Sequence, residues 1–245
     1  MALALALNWP NTVFLALSCV FGIMEASTMQ WALRQDMKPL IFHVEAAGEF
    51  RPVELTFATE LEVRRVRAWR RATPSTDAGE FAALAAKRWF YYTREGATVA
   101  SLGDLRAVVR RNERAELAFL LVASAQWAKR YKFLALAYCR RTWCHHLVLD
   151  FLAVRPGLTF ANQPIYGIGA GILFSLTNLA DSLDIHTIWG EATASSAPFY
   201  EKVLQIHPVK DLFIIRRETM RSIQKYHLEK QQSLLAKTVK RAHSY

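Results

Sequence analysis

Between Leu147 and Ile172 the chain carries residue types whose order suits the binding of a phosphate group. An apolar run, Leu147 to Val154, leads into Arg155-Pro156, a polar loop and then Tyr166-Gly167-Ile168-Gly169-Ala170-Gly171. An amphipathic helical pattern follows directly. Glycines let the backbone approach a ligand closely. The unpaired amides of a helix N-terminus, at the positive end of its dipole, attract an anion. Cys144-His145-His146 offers metal-ligating side chains. The spacing from Cys139 fits no standard zinc pattern and no second Cys/His pair lies nearby, so no metal is expected.

The elements that must hold this turn can be read from periodicity. Leu40 to Val44 and Val53 to Phe57 are short strand candidates. Val63 to Trp69 alternates apolar and basic residues, which suits an edge strand or a basic helix. Thr73 to Asp77 reads as a turn with a helix cap. Phe81, Leu84, Ala85 and Trp89 then repeat at helical spacing, and Ser101 to Arg114 gives a second helix. Leu117 to Ala123, Phe133 to Tyr138 and Leu147 to Val154 predict three consecutive strands. A helix over about Gly169 to Leu183 follows, with Leu173, Leu176, Leu179 and Ala180 as its inner face. Thr187 to Ala192 reads as a strand. Ser195 or Ser196 through Leu204 reads as a helix with Pro198 in its first turn. Val209 to Arg216 is a further strand, and residues 219–241 form a basic amphipathic helix that either packs on the body or dimerises. The expected order is strand, two helices, three strands, helix, strand, helix, strand and tail, a mixed α/β domain with a largely antiparallel sheet.

Composition sets the outer bounds. A chain of 245 residues, 52% hydrophobic and 21% charged, is enough for one domain with a substantial core. Three cysteines form an odd, sparse set that points to a reducing compartment, here the cytoplasm, and not to a disulfide framework. The net charge of +10 suits anionic partners such as a phosphorylated cofactor, nucleic acid or a membrane surface. Arginines cluster at Arg64, Arg65, Arg67, Arg70 and Arg71 and again at Arg106, Arg110, Arg111 and Arg114; solvated faces are the favoured account, ahead of nucleic acid. Thr12 to Met24 is apolar but shorter than the roughly 20 residues of a bilayer span, and no basic residue precedes it as in a signal peptide. Residues 1–37 are therefore expected to be a hydrophobic extension, disordered or non-native, ahead of a domain over 38–218 and a basic C-terminal helix over 219–245.

Two phosphate-binding folds compete for the glycine turn. A dinucleotide fold is disfavoured because three strands precede the turn with no helices between them, although Glu191 lies about 20 residues beyond the glycines. A P-loop is excluded because no Lys-Ser or Lys-Thr follows. Leu152-Ala153-Val154-Arg155-Pro156, Tyr166-Gly167-Ile168-Gly169-Ala170-Gly171-Ile172-Leu173, Ile188-Trp189-Gly190-Glu191-Ala192 and Ser195-Ser196-Ala197-Pro198-Phe199-Tyr200-Glu201-Lys202, in this order, resemble the GNAT N-acetyltransferase superfamily. The resemblance covers about Phe133 to Arg217. It is motif-poor over Val63 to Lys132 and does not reach residues 1–37 or the last helix.

The resemblance implies a GNAT-like three-layer α/β (α+β) domain, its mostly antiparallel sheet opened by a splayed strand pair and flanked by helices. In the family's motif of Gln or Arg, two residues, Gly, one residue, then Gly or Ala, Gly169 and Gly171 match the small positions and Tyr166 replaces Gln or Arg. The amides of Gly167, Ile168, Gly169, Ala170 and Gly171, with Ile172, would cradle the pyrophosphate of acetyl-CoA. Leu152, Ala153 and Val154 would bond its pantetheine arm, and Ser195 or Ser196 would bond that arm or cap a helix. Tyr200 matches the tyrosine that protonates the leaving thiolate; a phenol near 10 is reasonably matched to a thiol. Asp150 and Glu191 are the carboxylates able to take the proton of an amine acceptor, with His145 or His146 behind them. The loop from Gly157 to Ile165, longer than usual, would help select the acceptor. A small amine, an antibiotic, a protein lysine or N-terminus and a charged tRNA all fit. The alternative is a catalytically inactive acyl-CoA-binding or nucleic-acid/protein interaction module.

Overall fold

In the computed structural model the described residues are 40–72, 77–129, 131–158 and 164–242, without the side chains of Ala72 and residues 234–242. The N-terminal extension, the turn at 73–76 and residues 159–163 of the long loop lie outside them. Among the described residues no helix is long and apolar enough to cross a membrane.

Both early strand candidates form. β1 (Leu40–Ala46) and β2 (Glu49–Phe57) make a hairpin whose two turn residues, Ala47 and Gly48, have positive φ, the geometry that matches strand twist. The ambiguous Val63–Trp69 segment is helical: α1 (Glu60–Arg67) is opened by a capping box in which Thr59 and Glu62 bond each other's backbone amides. It buries Val63 and Val66, one turn apart. The short α2 (Trp69–Ala72), α3 (Asp77–Arg94) and α4 (Leu102–Arg111) follow, the last capped by Ser101 through the Asp104 amide at 3.0 Å. The chain continues with β3 (Leu117–Ser124), β4 (Phe133–Arg141), β5 (Leu147–Val154), a two-residue β6 (Ile165–Tyr166), α5 (Ile168–Ser182), β7 (Thr187–Glu191), α6 (Ala197–Leu204), β8 (Leu212–Arg216) and α7 (Arg217–Ala242).

The expected order is thus corrected at three places: the first strand is a hairpin, α1 and α2 precede the two expected helices, and β6 is added. β8 also starts at Leu212 and not at Val209, because the Val209 amide donates to the Glu201 carboxylate at 2.9 Å.

The eight strands line up as β6-β1-β2-β3-β4-β5-β7-β8. Every pairing is antiparallel except β5 with β7, which α5 connects as a crossover. β3 shows why helices cover both faces: Ala118, Leu120 and Val122 pack with Val63, Val66, Ala82 and Ala86 on one side. Phe119, Leu121 and Ala123 pack with Leu105, Leu173 and Leu176 on the other. The result is a three-layer α/β domain with a mostly antiparallel sheet.

α7 lies on the body. Met220 and Ile223 are buried, and the His227 ring stacks on Phe174 with centroids 4.3 Å apart. His227 Nε2 is buried with no hydrogen-bond partner among the described residues. Burial, then the charges of Lys230 and His43, pulls this imidazole down to about 4. Its unfolded value is about 6.5, so as pH falls below 6.5 the unfolded chain takes the proton first. The fold should lose roughly 2–3 kcal/mol from this group between pH 7 and pH 4. Thermal melts of wild type and His227→Phe should therefore diverge over that interval, the variant losing less; parallel curves would refute the assignment.

Candidate functional site

The sheet opens at one place. β5 and β7 run side by side only where Leu147 to Leu149 face Ile188 to Gly190. β5 continues along β4 as far as Val154. From Asp150 onward it has no strand on its β7 side. Gly190 stands at the fork: a Cβ there would lie 2.5 Å from the Leu149 carbonyl oxygen and 2.7 Å from Phe213, so only glycine lets the strands close this far. Asp150 is a bulge, since Phe151 pairs with Tyr138 while Leu149 pairs with the adjacent Cys139. A cleft of about 540 Å³ extends from the fork and is lined by Asp150, Leu152, Glu191, Ser196 and Tyr200, all singled out from the sequence.

The candidate acid and bases have different surroundings. Tyr200 is buried, its ring stacked on Phe213 at 4.1 Å and edge-on to Phe199 at 5.1 Å. Burial, with a smaller contribution from Cys139, pushes its phenol well above 10. The match to a thiol drawn from an ordinary phenol is therefore looser in this fold. Asp150 is engaged on both oxygens: Arg140 Nε donates to Oδ2 at 2.6 Å, Arg140 Nη2 to Oδ1 at 2.9 Å and Arg88 Nη1 to Oδ1 at 3.1 Å. Glu191, by contrast, is exposed at the end of β7 and its carboxylate has no hydrogen bond or ion pair among the described residues.

The Arg140–Asp150–Arg88 clamp joins β4, β5 and α3 behind the cleft. The Asp150 side chain is 10% exposed, so its loss takes two of the three bonds from Arg140, which keeps Glu116 at 3.2 Å, and the ion pair from the half-exposed Arg88. Asp150→Asn should cost about 2–3 kcal/mol in denaturant unfolding; a loss below about 0.5 kcal/mol, the usual size of a neutral surface change, would show that the clamp is not structural.

Ser195 and Ser196 form part of a turn. The Thr193 amide donates to Ser196 Oγ at 2.9 Å and the Ser196 amide donates to Thr193 Oγ1 at 3.3 Å, a reciprocal pair that opens α6. Ser196 lines the cleft, and Ser195 Oγ donates to Asp77 at 3.5 Å.

The other half of the site is the start of α5. Gly167 holds φ of +89° as its N-cap, with open space where a Cβ would stand. Gly171 donates to the Gly167 carbonyl at 2.9 Å. This leaves the amides of Ile168, Gly169 and Ala170 at the helix end and withdraws those of Gly171 and Ile172 from the expected cradle. Tyr166, Gly167, Gly169 and Ala170 border a second cavity of about 320 Å³ that also receives His43, Lys202 and Lys230. α6 lies between the two cavities, with Tyr200 in one lining and Phe199 in the other. A splayed parallel pair, crossed by a helix that a glycine turn opens, decides the architecture. The arrangement is the one that the resemblance to the GNAT superfamily implies.

No family model matches the sequence, and no curated protein is matched by it. Among solved structures the chain is similar to a GNAT family acetyltransferase from Staphylococcus aureus Mu50, at 9% identity over 67% of this chain and 99% of that one, TM-score 0.39. It is similar to a GNAT family N-acetyltransferase from Escherichia coli in complex with CoA, at 9% identity over 67% and 81%, TM-score 0.42. A spermidine N-acetyltransferase chimera from Vibrio cholerae and hSSAT is similar at 9% identity over 69% and 97%, TM-score 0.43. Likeness at this level says nothing of family or activity.

Several residues of the cleft carry no signal in the sequence. Asp211 lines it because its carbonyl accepts from the Ala192 amide at 2.8 Å, which ties the end of β7 to the start of β8. Phe81 lines it from α3. Neither carries a local signal. His145 and His146 sit in the β4–β5 turn, where the Thr142 amide donates to the His146 carbonyl at 2.9 Å, and they are not among the cleft residues. The ring of His145 faces the Arg141 guanidinium at 2.7 Å instead.

Proposed function

We propose that the protein is an N-acyltransferase that moves an acetyl group from acetyl-CoA to an amine acceptor by direct attack on the thioester. The observation that carries this is the fork between β5 and β7, with Leu152, Glu191 and Tyr200 on the walls of the cleft it opens. Acetyl-CoA, when bound, supplies the activated acyl group. The residues suit such a group. The amides of Ile168, Gly169 and Ala170, next to Lys202, favour phosphate oxygens. Leu152 to Val154 offer a backbone edge with no strand partner on one side, ready to bond an extended amide arm. Ser196 adds a hydroxyl at the cleft wall.

Glu191 is the carboxylate free to take the proton of an acceptor amine, while Asp150 holds Arg140 and Arg88 in place. Tyr200 keeps its proton across the working pH range, because burial holds the phenol above its ordinary value. The Tyr200 contribution should therefore bring no fall in kcat below pH 10. Glu191→Gln should lower kcat/KM about 100-fold, the lower range for a positioned general base, with acetyl-CoA affinity retained. Unchanged kcat/KM would remove Glu191 from this role. The sparse cysteines support a reducing compartment, the cytoplasm, for this enzyme.

The deciding experiment is CoA-thiol release screened across small amines, peptides with free N-termini and lysines, and aminoacylated tRNA. Turnover with at least one acceptor is expected. Measured acetyl-CoA binding with no turnover on any of them would overturn the enzymatic reading and leave a binding module.

A further inference from the structure

On their exposed side, α1, α2 and α3 enclose a groove of about 950 Å³. Its chemistry follows from helix geometry. Lys87 and Arg94 are seven residues apart and share one face of α3 with Glu80. Arg64 and Arg67, one turn apart on α1, point to the same groove, as do Arg70 and Arg71 of α2. Both carboxylates present are already paired, Glu60 with Arg64 at 2.6 Å and Glu80 with Arg70 at 2.7 Å. Arg67, Arg71, Lys87 and Arg94 have no ion pair among the described residues.

Scattered surface cations need no explanation, but four uncompensated ones meeting in one concavity do. The groove is also partly apolar. Phe90 is half-buried in it, with the Arg64 guanidinium 5.7 Å from its ring centroid, and Leu84 is 43% exposed. Trp89, a further lining residue, is 8% exposed, and its Nε1 is buried without an acceptor. Such orphaned donors are rare in folded proteins and call for a cause.

The geometry points to a docking site for a single strand of nucleic acid, with phosphates on Arg67, Arg71, Lys87 and Arg94 and a base against Phe90 and Leu84. Arginine forks bind phosphate oxygens in pairs. Stacking on an aromatic ring between cations is the usual way a strand is held without sequence preference. From Glu80 to Arg94, α3 rises about 21 Å, room for several nucleotides. An acidic peptide would satisfy the cations but stacks on Phe90 only where it carries an aromatic residue in register, whereas every nucleotide carries a planar base. The site stands on the reverse of α3 from the cleft and does not depend on the acyl-transfer reading.

The test is fluorescence anisotropy of the full chain with a labelled 12-nucleotide single-stranded RNA of mixed sequence, from 50 to 300 mM KCl. Four phosphate contacts give an expected slope of log K against log salt of about −3. Replacing Arg67, Arg71, Lys87 and Arg94 together by Gln should flatten that slope and weaken binding roughly a hundredfold at 150 mM salt. The same change at Arg110, Arg111, Arg114 and Arg221, exposed on other elements, should leave Kd within about threefold, under 1 kcal/mol. Thermal melts check that the variants fold; should the fourfold one fail, Arg67→Gln/Arg71→Gln and Lys87→Gln/Arg94→Gln should each lose about half the slope. No binding at 50 mM salt, equal loss in the second set, or a groove variant that binds like wild type would overturn the proposal. Competition by poly-glutamate of equal charge as effective as by unlabelled RNA would overturn it in favour of an acidic protein partner.

Discussion

Tyr200→Phe should lower kcat by about 10³-fold, within the usual range for a positioned acid, with the KM for acetyl-CoA and the melting temperature nearly unchanged. The ring does the packing. It stacks on Phe213 and meets Phe199 edge-on, and phenylalanine keeps both contacts. The hydroxyl alone is removed. Because burial holds this phenol above 10 and a free thiol sits near 8.5, the proton is handed over uphill by at least about 2 kcal/mol. Transfer then becomes favourable as the sulfur approaches a full thiolate in a site closed to water, where burial raises its basicity as it does that of the phenol. The measurement is CoA-thiol release under saturation by both substrates. A kcat within threefold of wild type would free Tyr200 of the role and leave it as a core residue.

The second large effect separates two glycines that look alike in sequence. A Cβ at Gly171 would stand 2.0 Å from Phe42 Cδ2 and 2.5 Å from Cε2. Phe42 is itself fully buried in β1. Gly171→Val should therefore cost more than the 1–3 kcal/mol typical of overpacking and yield protein that melts early or fails to fold. At Gly169 the nearest atom is the tip of the Phe199 ring, at 2.9 Å, and the ring can swing. Gly169→Ala should keep most of the stability, yet lower acetyl-CoA affinity about tenfold by crowding the free amides, on the order of 1.4 kcal/mol. Calorimetric melts and acetyl-CoA titration of both variants read the two effects. Equal stability would contradict the helix–sheet contact, and unchanged affinity in Gly169→Ala would remove the cradle.

That contrast also marks how far the sequence could be read. The spacing of Leu173, Leu176, Leu179 and Ala180 announced the buried face of α5, and all four are buried. The unbroken apolar runs announced β3, β4 and β5, because a central strand covered on both faces needs no polar alternation. Local chemistry also suffices for the helix end at Gly167. Other features depend on distant partners. Arg88 reaches Asp150 across 62 positions, so the carboxylate could be picked out but not its clamp. Asp211 enters the cleft only through the β7–β8 junction. Phe42, which explains Gly171, lies on β1 at the opposite end of the domain's sequence. The basic character of α1 hid a helix whose cap, Thr59 with Glu62, was short of the segment under inspection.

The bulge at Asp150 turns β5 inside out halfway along its length. Before it, the odd-numbered Leu147 and Leu149 face the core that holds α5. After it, the odd-numbered Phe151 and Ala153 face the core that holds α3, and the even-numbered Leu152 and Val154 take over on the α5 side. One strand thus obeys two opposite parities, joined at a single carboxylate. Deleting residue 150 would merge them into one regular strand, with Phe151 to Val154 keeping their β4 partners and their faces. A one-residue deletion elsewhere in β5 would exchange faces, whereas one at the bulge would remove only the carboxylate and its clamp, and polar scanning along β5 should change phase at this position.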